Sequence, residues 1–344
     1  MPLDLSYTVT IGSQQAGSNS KEGDRLLKGL STRLGMDGGC GCCIVELADV
    51  EYEPPLPGDA LTVELDGGDG PIRVFTGEVD TVKRTAATQC ITAFDSMIKL
   101  GQLEIESAYE EMTITDIVGD MIGQAGIAPG KLDECPGLPS FIVFKGPGAL
   151  HHVKSLARLC GRDVYSDGQG EINFTGPETT GKEHSFEYGL NVLEVALEKV
   201  PALQDSIEVL GEGAAGAEGA DKYFWLTHDL SSVQHNAEID DEGNVTSGKS
   251  GDFPLRETQA ILRSGEAVET IAQARMKAVA ARLLSGFIKV YGSPAVMPGD
   301  RAVISGLPDN YNIAQAFSGG KGLRVRNVRH QLNLQSGFIT FIEF

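Results

Sequence analysis

The chain has 344 residues, 41% of them hydrophobic, and a formal charge of −20 from 48 acidic against 28 basic side chains. That apolar content can build a substantial core and the length points to two or three domains, while the negative balance excludes a surface that grips phosphate backbones, which needs clustered Lys and Arg. Glycine is frequent at 43 residues and aromatics make up only 6%, a balance that suits short strands joined by turns better than a helical bundle.

The N-terminal stretch MPLDLSYTVTIGS has no basic region leading into an apolar run, and no segment approaches the length of a membrane span. The expectation is a cytoplasmically made chain without a membrane span. Six cysteines in such a chain do not read as a disulfide framework.

Residues 1–98 read as a first β unit, with the strand-like runs LSYTVTIG, LLKGLSTRLG, CCIVELAD, ALTVELDG, IRVFTGEVDTV and QCITAFD separated by Gly, Pro and Asp. Within it, GGCGCC places Cys40, Cys42 and Cys43 close together, and Cys90, Cys135, Cys160, His151 or His152 could complete a zinc or iron–sulfur set. The spacing is poor for that chemistry, because adjacent residues of a strand point to opposite faces. Cys43 fits better as a small buried side chain. Further on, LPGDALTVELDG carries Pro57, Gly58 and Asp59: proline presets φ, glycine accepts a positive φ, and the valine-bearing run behind them suits a strand.

Residues 99–185 read as an α+β module. Thr113 is the expected N-cap of a helix with Ile117, Val118, Met121, Ile122 and Ala125 on one face, stopping at Gly126. FIVF, residues 141–144, reads as a strand. A second helix aligns Leu150, Val153, Ala157 and Cys160 and closes at Gly161, and a hairpin comes next around Asp-Gly-Gln-Gly, with Val164 and Tyr165 before it and Ile172 and Phe174 after. Cys160 with His151 or His152 would be a thiol nucleophile pair, but spacings of eight and nine residues put them more than two helical turns apart.

Residues 186–344 read as a second β unit with exposed flexible loops at 211–222 and 240–253 and a long helix at 264–285 stopped by Gly286. Trp225, in KYFWLTHDL, reads as a core residue rather than a partner-facing anchor, and SGGKG at 318–322 as a hairpin loop, since it lacks the remaining features of a phosphate loop. MPGDRAVISGLP then repeats the earlier phrase with Pro298, Gly299 and Asp300. The runs C-terminal to the two copies alternate in a similar way: Ile72 and Val74, then Val79 and Val82, beside Leu323 and Val325, then Val328 and Leu332. The expected fold class is mainly β with an α+β insertion: two similar antiparallel β-barrel, tube-like domains plus a small module.

The ordered set of pieces, YEEMTITDIVGDMIGQAGI, LHHVKSLARLCGRDVYSDGQGEINF, EAVETIAQARMKA and VYGSPAVMPGDRAVISG, resembles the phage late control D family, the baseplate hub proteins of contractile tails and injection systems, and the N-terminal hub part of VgrG. The resemblance implies a non-enzymatic structural protein without a cofactor. It would be a homotrimer whose six barrels meet a six-fold tail tube while its three-fold axis meets a central spike. Implied partners are a tail tube or tube-initiator protein, a separate trimeric spike and baseplate wedge proteins; the implied location is a virion tail baseplate or injection particle assembled in the bacterial cytoplasm. Acidic charge concentrated on the lumen would keep passing DNA from sticking. The competing readings are a metal-binding or thiol enzyme using Cys40, Cys42 and Cys43, and a monomeric carbohydrate-binding β protein, for which an aromatic-poor chain offers little.

Overall fold

The computed structural model describes residues 6–18, 26–48, 53–211, 233–240, 243–308, 322–333 and 335–344. The chain begins with seven strands: β1 (Ser6–Ile11), β2 (Gln14–Gly17), β3 (Leu26–Gly35), β4 (Cys42–Ala48), β5 (Ala60–Asp66), β6 (Pro71–Arg84) and β7 (Thr88–Asp95). They pair antiparallel in the order β3-β4-β7-β6-β5-β1-β2, and the sheet curls until β2 lies against β3. Alternation explains the core: Leu30, Cys43, Val45, Leu61, Val63, Ile91 and Ala93 turn inward and are buried, with Val74, Phe75 and Val79 of β6.

The module comes next as α1 (Met97–Gln102), β8 (Ser107–Thr113), α2 (Ile114–Gln124), β9 (Pro129–Leu132), β10 (Gly137–Val143), α3 (Ala149–Leu159), β11 (Asp163–Ser166) and β12 (Ile172–Thr175). Thr113 caps α2, its Oγ1 accepting the Asp116 N–H at 3.0 Å. At the other end the Ile127 N–H reaches Ile122 O at 3.2 Å around Gly126, a Schellman closure. α3 ends the same way, with the Arg162 N–H on Ala157 O at 2.8 Å around Gly161. Ile114, Ile117, Val118, Met121 and Ile122 of α2 are buried completely, each contributing about 1.5–3 kcal/mol of hydrophobic stabilisation.

The remaining elements are β13 (Glu183–Glu187), β14 (Val192–Lys199), β15 (Ser206–Gly211), β16 (Gln234–Ile239), β17 (Val245–Ser247), β18 (Pro254–Gln259), α4 (Gly265–Ala280), β19 (Leu284–Tyr291), β20 (Arg301–Ser305), β21 (Leu323–Arg324), β22 (Asn327–Asn333) and β23 (Gly337–Glu343). β14, β19, β23 and β22 form one end of an eleven-stranded sheet, joined to the first unit where β22 pairs antiparallel with β3. β13, β20 and β21 form a small sheet, and Phe186, Val192, Ile288, Val290, Ile304, Val328 and Ile342 bury a second β core. The molecule is mainly β, with two similar antiparallel β units and an α+β module.

Several expectations shift. The helix expected at 264–285 ends at Ala280, because Leu284 onward pairs with β14 and β23. Gly286 is therefore a residue of β19, not a helix stop: it has φ +132°, and a Cβ there would overlap Ala196 O on the neighbouring strand. The polar stretch 240–253 contains β17, held in a hairpin with β16 by an Asp240 turn in which the Asn244 N–H donates to Asp240 Oδ1 at 2.8 Å. Elements β15 to α4, from the second β unit of the sequence, share a core with the module: Val268, Ile271, Ala272 and Met276 cluster with Ile117, Met121, Val153 and Leu156. Trp225, residues 212–222 and residues 318–321 lie outside the described residues.

Candidate functional site

The two Pro-Gly-Asp phrases fold alike, bond for bond. Gly58 and Gly299 take φ of +92° and +91°. In the first copy the Leu56 N–H donates to Asp59 Oδ2 at 2.8 Å and the Asp59 N–H to Leu56 O at 3.1 Å; in the second, Met297 donates to Asp300 Oδ2 at 2.9 Å and Asp300 to Met297 O at 3.1 Å. Each turn then locks onto one valine. Gly58 donates to Val79 O and Val79 to Asp59 O, both at 2.8 Å, while Gly299 donates to Val325 O and Val325 to Asp300 O, also at 2.8 Å.

Val79 thus corresponds to Val325 and Val82 to Val328, which corrects the correspondence expected from alternation alone. The reason is an irregularity in both copies at one place: β6 bulges between Val79 and Thr81, and β21 breaks from β22 beside Arg326. With that register, β3-β4-β7-β6-β5 matches β14-β19-β23-β22/β21-β20 in spatial order, chain order and antiparallel sense. The short β3–β4 connection of the first unit is replaced in the second by the whole of β15–β18 and α4.

The settings of the turns differ. Pro57 and Gly58 are exposed, whereas Pro298, Gly299 and Asp300 are buried. Asp300 also accepts the Lys182 N–H at 2.8 Å and pairs with His184 Nε2 at 2.8 Å.

An ionic cluster ties the parts together. Asp163 of β11 contacts Arg324 at 2.8 Å, Arg326 at 3.1 Å and Arg282 at 3.3 Å, and Arg326 reaches Asp37 of the β3–β4 connection at 2.5 Å. Burial works to raise the Asp37 carboxyl, but Arg326, Asn327 and Arg282 outweigh it and hold its pKa below the usual carboxylate value. The sequence offered no signal for this cluster, whose members are scattered from 37 to 326.

GGCGCC belongs to the same junction. The Gly41 N–H donates to Asp95 Oδ2 at 2.7 Å, Ser166 Oγ donates to the same carboxylate, and Lys154 Nζ of α3 donates to Gly38 O at 2.6 Å. Cys42 and Cys43 fall on opposite faces of β4, with Cys43 fully buried. Burial, with the nearby Asp95 charge, pushes the Cys40 thiol up to about 11; burial likewise raises Cys42 and Cys43. Among the described residues no group of three or more His, Cys, Asp or Glu is arranged to hold a metal. Cys160 is buried at the far end of α3 from His151 and His152, its Sγ donating to Leu156 O at 3.0 Å. No helix of the described residues is long and apolar enough to cross a membrane.

The face of the large sheet opposite its core carries both signs of charge. One row of paired positions reads Glu194, Lys289, Phe341, Arg329, Arg33, Cys42, Phe94 and Glu78 across eight strands. Lys289 and Arg329 flank the Phe341 ring at 5.5 and 4.0 Å. This row holds two acidic and three basic positions.

No family model matches the sequence, and no curated protein does. Solved structures do match. The chain is similar to the 43 kDa tail protein of prophage MuSo2 from Shewanella oneidensis, with a TM-score of 0.65 at 14% identity over 98% of this chain and 97% of that one. It is similar to a tail protein from Neisseria meningitidis MC58, with a TM-score of 0.67 at 12% identity over 98% and 95%. It is also similar to the E. coli c3393 protein, a component of the type VI secretion system with structural similarity to T4 bacteriophage tail proteins gp27 and gp5, with a TM-score of 0.60 at 11% identity over 97% and 75%. The fold is therefore one shared by phage tail proteins and a type VI secretion component, and it extends over nearly the whole chain.

Proposed function

We propose that the chain is a structural, non-enzymatic hub of a contractile tail baseplate or related injection system, acting as a homotrimer that joins a six-fold tail tube to a three-fold central spike. The observation that carries this reading is the duplicated unit. One chain supplies two quasi-equivalent β units in a continuous sheet, so three chains supply six, which is the arrangement that lets a three-fold object meet a six-fold one. The three-part division at residues 1–98, 99–185 and 186–344 belongs to the same proposal, amended by the shared core of β15 to α4 with the module. Its partners would be the tube or tube-initiator protein, a trimeric spike and the wedge proteins of a baseplate, in a particle assembled in the bacterial cytoplasm.

In this reading the hub holds its ring together until firing, and an acidic lumen would keep passing DNA or cargo from sticking; a lumen of neutral or basic surface potential in the assembled ring overturns that second part. Native mass spectrometry of the purified chain, with and without a coexpressed spike, tests the reading. A species near three times 36.5 kDa is expected, and a chain that stays monomeric at high concentration with spike present overturns it.

A further inference from the structure

A pair of thiols that the hub reading does not use sits where the module meets α4. Cys160 occupies the C-cap of α3, buried, with its Sγ–H turned back onto Leu156 O. The segment carrying Cys135 is pinned across that helix end. The Asp133 N–H donates to Phe174 O at 2.9 Å, Thr115 Oγ1 to Asp133 O at 2.8 Å, Arg162 to Glu134 O at 3.2 Å, and the Ile114 N–H to Pro136 O at 3.1 Å. Cys135 packs against the same apolar cluster that contains Cys160, and it lines a cavity of about 320 Å³ with Pro136, Ser264, Glu266 and Thr270. Cys135 is thus partly exposed at the cavity, while Cys160 is buried.

We propose that Cys135 and Cys160 are a redox modification site, which a small-molecule disulfide of the glutathione class converts to a reversible Cys135–Cys160 bridge tying the segment before β10 to the end of α3. In the first step the Cys135 thiolate attacks one sulfur of the small disulfide, the small disulfide's S–S bond breaks, and one small thiolate leaves and takes up a proton. In the second, Cys160 gives its proton to solvent and attacks the Cys135 sulfur, forming the bridge and expelling the second small thiol. The protein loses two electrons and two protons, and the small disulfide gains them.

The local electrostatics order the two roles. The neighbouring Cys160 is the largest influence on Cys135; with the Arg162 guanidinium and Thr115 it outweighs burial and brings this thiol down to about 7. Burial, with the neighbouring Cys135, pushes Cys160 up. A thiolate fraction near neutral pH makes Cys135 the attacking group, and contact with the first sulfur makes Cys160 the resolving one. Cys40, Cys42 and Cys43, all raised, react more slowly. The pair would remain reduced in a reducing cytoplasm and close in an oxidising medium.

The test uses the full chain, reduced, desalted and incubated with oxidised glutathione at neutral pH, then acid-quenched, alkylated and mapped by mass spectrometry. Two of the six thiols should become resistant to alkylation and appear as one cross-linked peptide pair joining 135 to 160, released by reductant. In Cys160→Ala and Cys160→Ser a stable glutathione adduct should accumulate on Cys135, and in Cys135→Ser residue 160 should stay unmodified. A lasting glutathione adduct on Cys135 in the wild-type chain, without the cross-link, overturns the proposal, as does a Cys135 that reacts no faster than Cys40 or Cys42. The wild-type map decides this alone, so a variant that fails to fold leaves the result intact.

Discussion

Asp59 and Asp300 perform one local task, accepting the N–H three residues before them, yet they do it in different surroundings. Asp59 does little else that the structure shows, whereas Asp300 is 6% exposed and also holds Lys182 and His184. Asp300→Ala should therefore cost about 2–4 kcal/mol by leaving buried donors unsatisfied, against about 1 kcal/mol for Asp59→Ala; urea unfolding of the two variants measures the difference. The paired glycines divide the same way. A Cβ on Gly58 meets nothing within 4 Å, but one on Gly299 would overlap the Tyr165 hydroxyl, so Gly299→Ala should destabilise clearly more than Gly58→Ala. Pro-Gly-Asp was legible as a turn from residue types alone. That one copy is exposed and the other a buried socket was not, because the chain that covers Asp300 comes from residues 181–184, more than a hundred positions earlier.

Among the elements, α2 was readable nearly to the residue, since its cap, its apolar face and its glycine stop are all local signals. α4 was not, because Leu283 continues the helical spacing while the backbone has already turned toward β19; pairing with two neighbouring strands overrode propensity there. Ile271, 1% exposed in the core that α4 shares with the module, should cost about 2–4 kcal/mol as Ile271→Ala, read by thermal or chemical unfolding. The joint between elements has a pH signature. Asp37 titrates below its ordinary value of 3.8 when folded, so its contribution is present above that value and is lost as pH falls through the lower folded pKa. The stability gap between wild type and Asp37→Asn should be constant from pH 7 to about 5 and close toward pH 2–3, in a series of thermal midpoints. A gap unchanged down to pH 2 would mean that Asp37 does not work through its charge.

For the whole molecule, the charge of −20 leads to one expectation: no measurable binding of duplex DNA at about 0.15 M salt, read by fluorescence anisotropy, because the three cations of the sheet row, Lys289, Arg329 and Arg33, are flanked by Glu194 and Glu78 on an acidic chain. Appearance of salt-dependent micromolar binding would show that Arg33, Arg329 and Lys289 act together as a cationic track. By itself the sequence determined the β class, the helices α2 and α3 of the module but not α1, the N-cap at Thr113 and the repeated turn, because these rest on alternation, capping and turn chemistry written within a dozen residues. Tertiary structure alone decided how the copies align, with Val79 answering to Val325, and that β22 and β3 fuse the two units into one sheet. It also decided that β15 to α4 pack on the module and that Asp37, Asp163 and Arg326 meet. Each of these depends on which distant segments share a hydrogen-bonded edge or a buried volume, and a one-dimensional pattern specifies the period of an element without specifying its neighbour.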